Sequence, residues 1–115
     1  MASPFAVRIT VHATPAHLVV SPDPALVRVG TPVVWSLHAG GLPHGTPFRF
    51  GIRFRGRTPF NRSDFSDTGT TSPGGDASAD ADAGTANDTG DFKYDVVVEA
   101  GEGIRLEVDP FIVVR

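Results

Sequence analysis

The chain has no cysteine among its 115 residues, which removes disulfide frameworks, thiolate nucleophiles, and zinc-thiolate and iron-sulfur sites in one step. It has no apolar run approaching the roughly 18 residues that a membrane-crossing helix needs, so a membrane is not an expected partner. The opening Met1-Ala-Ser-Pro-Phe-Ala-Val-Arg-Ile9 lacks a charged segment followed by a continuous apolar core, because Arg8 interrupts the only candidate. A cytoplasmic location is the expectation, with a trimmed secreted chain as the alternative. No strong charge excess is present either: the net charge of -3 is too small to suggest wholesale binding to nucleic acid or anionic lipid. There is no Gly-x-Ser-x-Gly elbow and no glycine-rich phosphate loop ahead of a helix. The expectation is a protein that is not an enzyme and needs no cofactor.

Helical periodicity is also missing. The 13 glycines and 10 prolines punctuate the chain throughout, and apolar positions alternate or run continuously instead of recurring every three to four residues. Alternation is plain from Phe5 to His12, where Phe5, Val7, Ile9 and Val11 interleave with Ala6, Arg8, Thr10 and His12. A short piece from His17 to Val20 stops at Ser21-Pro-Asp-Pro24, and Ala25 to Val29, a tight Gly30-Thr-Pro32 turn, and Val33 to His38 together read as a hairpin-like unit. From Pro47, Phe48, Phe50, Ile52 and Phe54 alternate with Arg49, Gly51, Arg53 and Arg55, so the phenylalanines are candidate core and the arginines an outward face. Val96-Val-Val98 and Phe111-Ile-Val-Val114 are apolar on both faces and should sit centrally.

Seven to eight short strands at turn-punctuated intervals predict an all-β Greek-key sandwich formed by residues 1–115 as one domain, long enough to bury about two-thirds of its unfolded surface. Between residues 60 and 90 the composition turns to Asp, Gly, Ala, Ser and Thr, and after Arg62 every charge is acidic: Asp64, Asp67, Asp76, Asp80, Asp82 and Asp88, then Asp91. This predicts one long acidic loop, since such residues cannot build a core.

Val27-Arg-Val-Gly-Thr-Pro-Val-Val-Trp35, followed by Pro43-His44, resembles the cupredoxin pattern of a strand, a tight glycine turn and a tryptophan strand leading to a histidine. Asp91-Phe-Lys-Tyr-Asp-Val-Val-Val98 and Asp109-Pro-Phe-Ile-Val-Val114 are similar to the late strands of such sandwiches, and the likeness covers about two-thirds of the chain. An immunoglobulin-like sandwich is the alternative with comparable placement of glycine, tryptophan and valine. The resemblance implies that His44 stands at the first copper-ligand position. The remaining ligands have no counterpart: cysteine is absent, no histidine follows His44, and the only methionine is Met1. Type 1 copper needs that thiolate and two imidazoles, so the resemblance implies a scaffold without redox copper.

Three sets of residues are candidates for chemistry. Arg49, Arg53, Arg55 and Arg57 form a ladder suited to a carboxylate-bearing protein partner or a second copy of the chain, since arginine favours interfaces. The same ladder, with Arg62 and with Phe60 or Phe65 as stacking platforms, could meet a nucleic acid, but the neighbouring aspartates compete for the guanidinium groups and argue against that partner. Asp76, Asp80, Asp82 and Asp88 offer hard oxygen ligands for calcium, although the EF-hand positions are not matched. His38 and His44, joined by His12 or His17, offer a second metal set. The function expected is a non-enzymatic binding or assembly module acting through protein contacts, with a metal-dependent binding domain as the alternative.

Overall fold

A computed structural model describes residues 6–101 and 103–115; Met1 to Phe5, including the expected start of the first strand, and Glu102 lie outside the described residues. Ten strands and no helix are found among them: β1 (Val7–Ala13), β2 (Leu18–Ser21), β3 (Ala25–Val27), β4 (Pro32–Ala39), β5 (Pro47–Phe54), β6 (Asp64–Thr70), β7 (Ala77–Thr85), β8 (Gly90–Ala100), β9 (Ile104–Val108) and β10 (Phe111–Val114). They form two open mixed sheets. One has the order β2-β1-β4-β7, and the other runs β3-β10-β8-β5-β6 with β9 also paired to β8. The pairing of β1 with β4 and of β10 with β3 is parallel, and the rest is antiparallel.

The arrangement is sandwich-like because alternation gives each sheet one apolar face. Ile9, Val11, Val33, Trp35 and Leu37 from the first sheet and Phe50, Ile52, Phe92, Tyr94, Val96, Val98 and Ile112 from the second are essentially removed from water and share one core. Trp35 is its centre. Its ring lies 5.3 Å from Tyr94, 5.7 Å from Phe60, 6.0 Å from Phe65 and 6.2 Å from Phe54, mostly edge to face, the offset geometry that ring quadrupoles favour. The indole Nε1–H donates to the Tyr94 hydroxyl at 3.2 Å.

The expected strands from His17, Val33, Pro47, Phe92, Ile104 and Phe111, and the described part of the first from Val7, form where the sequence pattern places them, and β8 and β10 are interior to their sheet as expected. Two expectations are corrected. The segment from 60 to 90 is not one loop: it contains β6, paired with β5, and the nine-residue β7, paired with β4. Ala77, Ala79, Ala81 and Ala83 face the core while Ser78, Asp80 and Asp82 face water. The alanines suffice because Trp35, directly opposite Ala81, and the phenylalanines around it already fill that volume. The second correction concerns residues 25–38. They are not a hairpin, since β3 joins one sheet and β4 the other.

Candidate functional site

The arginine strand, β5, lies between β6 and β8 in the six-stranded sheet. Phe48, Phe50, Ile52 and Phe54 are buried, and Arg49, Arg53 and Arg55 point to solvent. Among the outward positions, Gly51 has no side chain. A Cβ built there would meet nothing within 4 Å, so the glycine is not demanded by crowding, and it leaves a gap in the face. Its cross-strand neighbours are Ser66 and Val97. The gap opens into a groove of about 520 Å³, floored by Gly51, Ser66 and Val97 and rimmed by Arg49, Arg53, Asp64, Glu99 and Arg105. Glycine inside a strand costs backbone entropy and often marks the close approach of a ligand or another chain.

The four arginines of the ladder have different surroundings. Arg49 has no carboxylate within ion-pair distance among the described residues, and Arg53 makes a 3.6 Å pair with Asp64 in which both side chains are largely exposed, a weak tie in water. Arg55 is held differently. Its Nε donates to the Asp95 carboxylate, which is nearly buried, and its Nη2 lies 3.5 Å from Glu107. Its charge therefore keeps Asp95 satisfied and is committed within the fold. Arg57 lies beyond the strand with its guanidinium 5.3 Å from the Phe92 ring centre. The ladder thus reduces to Arg49 and Arg53 at the groove.

The aspartates between 64 and 91 answer those arginines only once, through Asp64. Asp80 belongs to the opposite sheet, where it accepts the Ser36 hydroxyl at 2.7 Å and lies 3.6 Å from Arg8. Asp82 accepts the Gly84 N–H at 2.9 Å. Asp76 sits at the lip of a shallow hollow with His38, Thr70, Ser72 and Ser78, and Asp88 is exposed beyond β7. His38 stacks on His12, its register partner on β1, with ring centres 5.9 Å apart, while His44 stands exposed in the loop before β5. No group of three or more His, Asp or Glu side chains gathers as metal ligands among the described residues. The position that resembles the first cupredoxin ligand therefore stands alone, and these residues do not fit a type 1 copper ion.

Elsewhere on the same face, Lys93 reaches Asp109 at 2.9 Å and lies 5.6 Å from the Phe111 ring centre. Its hydrogen bond, reinforced by its charge, holds the exposed Asp109 carboxyl below the usual carboxylate range. Gly51, Val97 and Arg105 were not singled out by sequence reasoning. The signal that could have found Gly51 is its place as the one outward residue of β5 with nothing to present. No helix among the described residues is long and apolar enough to cross a membrane. Comparison with family models, with curated proteins and with solved structures gives no match.

Proposed function

We propose that this chain is a non-enzymatic binding module that takes an extended, carboxylate-bearing protein segment across the outer face of its six-stranded sheet. The observation that carries this reading is the Gly51 gap set between Arg49 and Arg53, with the Arg49 guanidinium uncommitted to any carboxylate among the described residues. A guanidinium presents a planar fork that matches a carboxylate in two hydrogen bonds. The gap admits the backbone or side chain of a segment lying between two such forks, and Asp64 and Glu99 on the rim fix its charge register. Of the two sandwich types that the sequence resembles, the cupredoxin-like one is favoured by the parallel pairing of β1 with β4 and of β3 with β10, since immunoglobulin sheets are antiparallel. The reading is then of a cupredoxin-like scaffold whose working surface is a sheet face instead of a metal.

The test uses a fluorescein-labelled, glutamate-rich peptide in an anisotropy titration. Saturable binding that weakens with added salt is expected, and the double variant Arg49→Glu, Arg53→Glu should weaken it at least tenfold while thermal unfolding stays where it was. Arg55 is left untouched so that Asp95 keeps its partner. Absence of saturation at millimolar peptide, or equal binding by the double variant, sinks the proposal.

A further inference from the structure

The edge of the six-stranded sheet formed by β9 and β10 is paired with a further strand along one half only. Both strands pair with β8 in one unbroken register, from Ile104 opposite Ala100 to Val114 opposite Gly90, and the Tyr94 N–H donates to the Pro110 carbonyl between them. They act as one broken strand. Alternation then turns residues 104, 106, 108, 110, 112 and 114 toward β8 and the odd-numbered ones away from it. In the β10 half the outward groups are taken: the Phe111 N–H donates to Asp23 Oδ1 at 3.1 Å, the Arg115 N–H to the Val27 carbonyl at 2.9 Å, and β3 pairs alongside. In the β9 half, Arg105 and Glu107 direct their N–H and C=O groups outward, and β9 pairs with no strand but β8 among the described residues.

The other edges are short or shielded. β3 has three residues and β2 has four, and Pro22 and Pro24 stand between them; β6 and β7 run side by side where the two sheets meet. β2 of the other sheet packs near β9 but does not pair with it, and a five-residue run whose outward main-chain groups meet no strand, with apolar side chains on its inner face, is a template for strand addition. Ile104, Leu106 and Val108 are each only partly buried.

The sequence Ile104-Arg-Leu-Glu-Val108 complements its own reverse: apolar, basic, apolar, acidic, apolar meets apolar, acidic, apolar, basic, apolar. We infer that β9 pairs antiparallel with β9 of a second copy of this chain, about a two-fold axis through Leu106, joining two six-stranded sheets into one. Only this centring pairs the outward groups of Arg105 and Glu107 of one strand with those of Glu107 and Arg105 of the other. Arg105 exchanges both main-chain hydrogen bonds with Glu107 of the partner subunit, and Glu107 does the same with the partner's Arg105, while Leu106 meets the partner's Leu106 in the close, non-hydrogen-bonded pair. Each side-chain contact across the axis joins opposite charges on the outer face, where Arg105 already lies 2.8 Å from its own Glu107 and 3.9 Å from Glu99, and apolar groups on the inner one. An isologous contact of this kind closes at two copies. It also sets the two grooves side by side on one continuous face, though the pairing stands without the groove reading.

Light scattering across a concentration series, with dilute thermal unfolding as the folding control, reads the association. The wild-type mass should climb from 12.1 kDa toward twice that value. Arg105→Pro removes an outward N–H that the β8 ladder does not use, and the chain should remain at the monomer mass. Arg105→Glu and Glu107→Arg each set like charges opposite one another across the axis, and each should weaken association on the order of tenfold. Mixed in equal amounts, those two variants place Glu opposite Arg at every contact, so the mixture should recover wild-type association. A wild-type chain that stays at the monomer mass to about millimolar overturns the inference, as does association that persists in all three variants or fails to recover on mixing. Gly51→Val fills the groove without touching β9. A chain that dimerises normally with that change and still binds the acidic peptide as before counts against the groove alone.

Discussion

Tyr94, the chain's single tyrosine, accepts the Trp35 Nε1–H from inside the core, and burial pushes its phenol well above the usual tyrosine range, with the Asp23 charge adding to the effect. In the unfolded chain the same phenol ionises near pH 10. Above that pH the unfolded state has lost a proton that the folded state still holds, so stability is complete below about pH 10 and declines as pH rises further. The tyrosinate absorbance near 295 nm should therefore appear together with loss of the folded circular dichroism signal, not before it. Its appearance near pH 10 in a still-folded protein would show that the hydroxyl is not sequestered. Tyr94→Phe keeps the ring in the core and strips the indole N–H of its acceptor, a buried group left unpaired at a cost of about 1–3 kcal/mol at neutral pH. The same change should remove this phenol's part of the alkaline decline.

At the scale of the strand, β5 and β7 show what was legible and what was not. In β5 the alternation is between phenylalanine and arginine, so side-chain chemistry and period agree, and both the core and the outer face follow from the sequence. In β7 the same period is present as Ala77, Ala79, Ala81 and Ala83 against Ser78, Asp80 and Asp82. Alanine is too small to announce a core face and aspartate is poor in strands, so composition outweighed a pattern that was there. What makes alanine fit is Trp35 across the ladder, information that belongs to another element. The groove was hidden for a related reason: Gly51 is informative only once Ser66 and Val97 are seen on either side of it. Because a Cβ at Gly51 meets only open space, Gly51→Val should stabilise the fold by about 0.5–1 kcal/mol through lower backbone entropy in the unfolded chain. Binding of the glutamate-rich peptide should fall at least tenfold. A melting temperature that rises while binding is lost would separate the residue's function from its role in folding, and unchanged binding would place the contact elsewhere.

The molecule as a whole is joined through one aromatic cluster fed from both sheets. Trp35 comes from the four-stranded sheet, Phe54, Phe65 and Tyr94 from the six-stranded one, and Phe60 from the connection between β5 and β6. Phe60 touches three of its members, with ring centres 5.6 to 5.7 Å away. Neither sheet can leave the other without exposing Trp35, which the fold otherwise excludes fully from water. Unfolding followed by Trp35 fluorescence, which reports the cluster, should therefore coincide with unfolding followed by far-ultraviolet dichroism, which reports the strands. Phe60→Ala should shift both curves together by about 3–5 kcal/mol, a large share of the roughly 5–15 kcal/mol usual for a single domain. The groove and the β9 edge lie on the opposite face and the rim of the same sheet, so Arg49→Glu and Arg105→Glu should leave that shared transition in place. Two separated transitions in the wild type, or a Phe60→Ala chain in which only the fluorescence moves, would mean that the sheets are held together by something other than this cluster.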